Sequence, residues 1–172
     1  MIFKVTFVVM FTFMVTSVMA QQKGEMAVGG QIAYGSGDDY SNLGLGAKFQ
    51  WNILDNIRLE PSFTYFLKKD YVNMWDLSAD VHYLFPITDK VTVYPLAGLS
   101  ILGIKASVPS VDLGEWGSYG EGSASDSEFG FNLGGGIDYK LADKLTLNAG
   151  LKYKMCSNWD RFIVSVGLAY KF

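Results

Sequence analysis

The chain ends in RFIVSVGLAYKF, with Phe162, Val164, Val166, Leu168, Tyr170 and Phe172 in one phase and Arg161, Ile163, Ser165, Gly167, Ala169 and Lys171 in the other. Successive side chains of a strand point to opposite faces, so this alternation predicts a strand, one face apolar and one small or polar, that runs to the last residue. The same pattern recurs over residues 25–34, 43–51, 57–66, 75–85, 91–101, 128–139 and 145–154. In every case one face stays free of charge for about ten residues, the length a tilted strand needs to cross a bilayer. Pro61 and Pro95 sit inside two of these segments. Each removes a ladder N–H, so local bulges are expected there.

The connections alternate in character. ILDNIRLEPSFTYF, PITDKVTVYPLAGL and KLADKLTLNAGLKY each place Asp before Asn or Lys and then an alternating strand, which predicts three tight hairpin turns with Asp capping its own backbone. SGDDYS from Ser36, KKDYVN from Lys68, residues 106–126 and CSNWD from Cys156 are polar, the first and third rich in Gly and Ser. They are expected to be loops. Three turns and four loops separate eight strands.

Alternation alone does not say which face points inward, and a soluble barrel of the lipocalin kind would enclose the apolar set. An eight-stranded barrel has room inside for side chains or one small ligand, and roughly forty apolar side chains would overfill it. The opposite face, rich in Gly, Ala, Ser and Thr, would fit. The apolar face is also banded: Trp51, Tyr83, Phe85, Tyr139, Tyr170 and Phe172 lie next to the short turns or the C-terminus, and Tyr34, Tyr65, Trp75, Phe129, Phe131, Tyr153 and Phe162 next to the loops. Two aromatic belts around an aliphatic middle are what two membrane interfaces select. The predicted fold is therefore all-β: an eight-stranded antiparallel up-and-down transmembrane β-barrel whose apolar face meets lipid.

The N-terminus fits an exported protein. Lys4, the apolar run from Ile2 to Val15 and the small residues of Val18-Met19-Ala20 predict a signal peptide over residues 1–20 and a mature barrel domain over 21–172. An uncleaved membrane anchor is the alternative; the short apolar run and the absence of a basic stop-transfer cluster in Gln21-Gln22-Lys23 speak against it. With a formal charge of -3 and 15% aromatic residues, the chain has no electrostatic basis for a nucleic-acid partner. Its single cysteine, Cys156, expected in a loop, cannot form an internal disulfide.

Candidate chemistry lies on the inward face. Acids Glu25, Glu60, Asp76, Asp80, Glu128 and Asp138 nearly balance bases Lys48, Arg58, Lys152, Lys154 and Arg161. A charge in a narrow interior is costly unless paired, so the expectation is a lumen of mutually neutralising ion pairs. The alternative is a narrow polar path for ions or small solutes, gated by the same charges. His82 is the only histidine, with Ser78 and Asp80 on the same face. Those three are expected to be packing partners rather than a catalytic triad. No His/Cys cluster offers a metal site, and no cofactor is expected. FGFNLGGGIDY lacks the helix a phosphate loop needs; its inward Gly130, Gly134 and Gly136 are expected to make room for bulky neighbours such as Tyr94. In the 106–126 segment, Trp116 and Tyr119 are either part of a mobile linker or aromatic anchors for an extracellular partner.

Taken together, the export signal, eight alternating strands, short turns opposite longer loops and aromatic last strand resemble the small eight-stranded outer-membrane barrel family, typified by the membrane domain of OmpA and by OmpX. The resemblance spans essentially all of the mature chain. It implies location in a Gram-negative outer membrane, and it implies that Leu168, Tyr170 and Phe172 form the terminal signal read by the outer-membrane assembly machinery. It also implies that a lipid-modifying barrel enzyme would keep its catalytic groups near the outer leaflet, whereas His82 lies toward the turn end. Against that pattern, a peptidoglycan-gripping domain of the OmpA kind is not expected here, and three of the four loops are short.

Overall fold

The computed structural model describes residues 23–37, 41–69, 72–107, 111–112, 118–119, 123–158 and 160–172. Residues 1–20, where the signal peptide is expected, and Trp116 lie outside the described residues. Eight strands form the wall: β1 (Met26–Gly37), β2 (Ser41–Leu54), β3 (Ile57–Lys69), β4 (Val72–Tyr83), β5 (Val91–Ser107), β6 (Ser123–Ala142), β7 (Leu145–Cys156) and β8 (Arg161–Lys171). Each pairs antiparallel with its neighbours in sequence, and β8 pairs back onto β1 from Ala27↔Lys171 to Gly37↔Arg161. This is a closed up-and-down barrel. Closure leaves no strand edge with unpaired backbone groups, which is the condition for placing a sheet in hydrocarbon.

The faces divide as the alternation predicts. Val28, Ile32, Leu45, Leu133 and Leu151 are exposed on the outside, Leu133 by 59%, while Lys48, Arg58, Asp76, Asp80 and Asp138 are buried inside. Both aromatic rows lie on the outer face; Trp75 lies across Gly103, where a Cβ would strike the indole. The lipid-facing surface is thus apolar in the middle and aromatic at both ends, a profile matched to a bilayer and its two interfaces.

Several local expectations are corrected. Neither proline produces a bulge. At Pro61 the β2–β3 pairing lapses between Lys48↔Ser62 and Trp51↔Leu59 and resumes in the same register. At Pro95 the β5 pairing lapses after His82↔Leu96 and resumes, unshifted, at Phe85↔Val93. The missing N–H costs bonds on one side of the strand, and pairing on the other side, Pro95↔Gly135, continues. The first and third turns are the two-residue corners Asp55-Asn56 and Asp143-Lys144. The second is wider and is capped by Thr88 rather than Asp89: Thr88 Oγ1 accepts from the Lys90 and Val91 backbone N–H groups at 3.2 and 3.1 Å.

The loop end also differs. Strands continue through much of SGDDYS and KKDYVN, ending at Gly37 and Lys69 and resuming at Ser41 and Val72. β5 and β6 are the longest, at 17 and 20 residues, and pair without interruption to Ser107↔Ser123. They stand above the rim, and Val111–Asp112 with Ser118–Tyr119 form a small antiparallel ribbon beyond them. Cys156, expected in a loop, is the last residue of β7 and is buried. It continues the inward phase of Lys152 and Lys154, and a Cβ at inward Gly130 would meet its Sγ at 2.7 Å.

Candidate functional site: the barrel lumen

From the turn end inward, the lumen is a stack of paired charges. Arg58 on β3 donates through Nη1 to Asp138 Oδ2 on β6 at 2.7 Å, and Asn148 Nδ2 on β7 donates to the other Asp138 oxygen at 2.6 Å. The guanidinium also lies 5.8 Å from the centre of the Tyr94 ring. Lys48 sits 3.9 Å from Glu60, which accepts a 2.6 Å bond from Gln50. Lys152 Nζ donates to Asp80 Oδ2 at 2.9 Å, and Asn132 Nδ2 to Asp80 Oδ1 at 2.7 Å. Lys154 pairs with Asp76, which also accepts from Ser78 Oγ. Four bases thus meet four acids, three pairs across the bore and Lys48–Glu60 between neighbouring strands, and amide side chains donate to carboxylate oxygens as well. Removing one member of such a buried pair leaves an uncompensated charge, so the network is fixed by mutual need.

Two predicted members lie elsewhere. Glu128 is half-buried at the loop rim, where it accepts from Asn158 Nδ2 at 2.7 Å. Glu25 pairs with Lys171 at 2.9 Å at the turn-end rim. Arg161 is inside but apart from the stack: Nη2 donates to Asn42 Oδ1 at 2.6 Å, and the guanidinium covers the Phe66 ring at 4.5 Å.

His82 stacks on Tyr94 with ring centres 4.4 Å apart and planes within 5°. Tyr94 reaches across because position 136 is glycine, where a Cβ would lie 2.5 Å from the phenol oxygen. Ser78 and Asp80 spend their polar atoms on Asp76, Lys152 and Asn132. The three residues therefore do not make the nucleophile–base–acid relay that hydrolysis needs. Among the described residues, no group of His, Cys, Asp and Glu could hold a metal.

Sequence reasoning missed the closure at the loop end. Phe66, Met74, Ile163 and Ala33 form a buried apolar cluster inside the barrel, with Val72 and Ile104 packed against it. The signal was present as apolar residues in the inward phase near the loop ends, where the charged inward set drew attention instead. Inward glycines permit this closure too: a Cβ at position 44 would be 2.8 Å from Phe66, and one at position 35 would strike Arg161. Space in the bore is small. A vestibule of about 60 Å³ opens at the turn end beside Arg58 and Asp138, and a central cavity of about 30 Å³ lies among Lys48, Glu60, His82 and Lys152.

The outer membrane protein beta-barrel domain model matches residues 5–172. The chain belongs to that family. It is accordingly a bacterial outer-membrane protein, and its apolar outer face is a lipid face. Among solved structures, the N-terminal barrel of OprF from Pseudomonas aeruginosa is 16% identical, covering 87% of this chain and 100% of that one, with a TM-score of 0.62. Neisserial surface protein A is 17% identical, over 86% of this chain and 96% of its own, with a TM-score of 0.63. Ail, the attachment invasion locus protein of Yersinia pestis, is 18% identical over 88% and 99%, with a TM-score of 0.57. These likenesses are of fold. No curated protein sequence matches the chain.

Leu168 and Tyr170, expected in the assembly signal, stand exposed on the lipid face of β8, and Phe172 directly follows that strand. Tyr119 belongs to the short ribbon above β5 and β6, opposite Val111.

Proposed function

We propose that this family member is a structural and cell-surface barrel with a plugged polar lumen, and not a general porin or an enzyme. The observation that carries the reading is the set of cross-bore ion pairs around a central space of about 30 Å³. That volume is on the scale of one or two waters and far below a sugar. Eight strands also enclose too little diameter for a wide aqueous channel. The surface role falls to the projecting β5–β6 hairpin and the 106–126 segment, with Trp116 and Tyr119 as aromatic anchors for an extracellular partner. Ail's designation as an attachment protein is consistent with such a role for a barrel of this size. Leu168, Tyr170 and Phe172 are the contact with the assembly machinery.

The test is liposome swelling with the refolded protein: sugars should not enter, and steady sugar permeation would promote the pore reading. A narrow ion path is the second reading, favoured by the hydrogen-bonded chain Asn148–Asp138–Arg58 that links the central cavity to the vestibule. In that reading Arg58→Ala raises small-ion conductance while leaving the fold intact, because it frees Asp138 and opens volume together.

A further inference from the structure

The two ends of the lumen are built from different materials, and the difference bears on which side of the membrane can reach its centre. His82 is 1% exposed, and neither of its ring nitrogens has a hydrogen-bond partner in the protein; Asn148 Oδ1 is likewise unpartnered. Both residues line the central cavity. Buried polar atoms without protein partners are satisfied by water where the space is polar and large enough for a water molecule, and about 30 Å³ among Lys48, Glu60 and Lys152 meets both conditions. That water needs a route.

Toward the turn end Leu84, Tyr94 and Leu96 pack together on the β4–β5 side of the bore, and beside them a polar route remains. Asn148 is bonded to Asp138, Asp138 to Arg58, and the last two border the open vestibule. Water can pass such groups by exchanging hydrogen bonds. Toward the loop end the cavity is walled by Phe66 and Ile163, backed by Met74 and Ala33, all at most 3% exposed, with Asp76 beside them closed off by its pair with Lys154. Arg161 clamps this cluster, covering Phe66 and donating through Nη1 toward Met74 Sδ at 3.4 Å. A dry apolar constriction stops ions and water because neither finds a hydrogen-bond partner in it.

We propose that the lumen is a one-ended chamber: a hydrated centre on His82 and Asn148 that exchanges with the turn side, sealed from the loop side by the Phe66–Met74–Ile163 cluster under its Arg161 clamp. The seal is separate from the Arg58–Asp138 pair. Opening that pair widens the entrance and leaves the loop-side wall in place.

Silver ion, a small thiol-seeking cation, can test the sidedness. Ser165 lines the central cavity, so the variant Cys156→Ser with Ser165→Cys carries one thiol there; Thr64→Cys, also on the cavity, replaces it if that variant does not fold. The protein is inserted in lipid vesicles with its loops outward, and heat-modifiable gel mobility confirms folding. Silver is supplied inside or outside; it binds the thiolate and releases the thiol proton. After unfolding, the remaining thiol is counted with a maleimide. Silver from the turn side should consume the thiol at least about tenfold faster than silver from the loop side, and adding Phe66→Ala should abolish that difference. Equal rates from both sides before Phe66→Ala, no reaction from the turn side, or a folded Phe66→Ala variant still closed from the loop side would each overturn the proposal.

Discussion

The lipid face and the lumen face are made by the same eight strands, residue by residue, yet they specify structure in different ways. On the lipid face, Ile32, Leu45, Leu133 and Leu151 need only be apolar and at the right depth, because hydrocarbon is an undirected partner. In the lumen each group needs one particular partner: Lys152 needs Asp80, Arg58 needs Asp138, and Tyr94 needs the absence of a side chain at position 136. Depth governs one surface and pairing the other. Substitutions can therefore be ranked by which rule they break.

The largest effect is expected from breaking one lumen pair. Asp80→Ala leaves the Lys152 ammonium and an Asn132 amide without their acceptor, and should cost about 3 to 5 kcal/mol in urea titrations of the refolded protein. Changing both members, Asp80→Leu with Lys152→Met, should recover most of that loss, since an apolar pair of similar volume carries no stranded charge. If the double change were as damaging as the single one, pairing would not be the rule of the lumen.

Next comes a charge on the lipid face. Leu151, paired with Gly135 and Val164 midway along β7, faces the bilayer middle, and Leu151→Arg should cost about 2 to 4 kcal/mol. Leu147 lies beside Tyr139, in the turn-side belt, so the same change there should cost less, toward about 1 kcal/mol at the interface. Equal penalties at the two depths in the urea titration would contradict a lipid-facing assignment.

The smallest contrast uses two glycines. A Cβ at inward Gly136 would press on the Tyr94 hydroxyl at 2.5 Å and the Ala149 carbonyl at 2.7 Å, so Gly136→Ala should destabilise by about 1 to 3 kcal/mol through overpacking. At outward Gly30 the nearest atom is the Gly46 carbonyl oxygen at 3.8 Å. Gly30→Ala should be neutral or stabilising by up to about 1 kcal/mol, because alanine restricts the unfolded chain. Thermal unfolding of the two variants side by side would show the opposite signs.

This division also explains what was legible in the sequence. Strand positions, facing and the aromatic belts follow from local alternation, because burial has a period of two along each strand. The partners in the lumen do not: Arg58 and Asp138 are 80 positions apart, and Lys152 and Asp80 are 72, and meet only once eight registers and the barrel's stagger are set. Phase alone also misplaced Glu128, since β6 continues past the bore and carries an inward-phase acid out to the rim. Cys156 looked like loop because polar Ser157 and Asn158 follow it, although its own phase continues that of β7. The apolar cluster at the loop end is hidden in the sequence for a related reason: Phe66, Met74 and Ile163 lie on three different strands and come together only across the closed barrel.

The most direct test of a plugged, inward-paired lumen is the conductance of the refolded, unmodified protein in planar lipid bilayers with potassium chloride. Ion pairs across the bore, a central space of about 30 Å³ and the apolar closure at the loop end together predict no large, persistent conductance. A steady open channel of porin-like size would contradict the account.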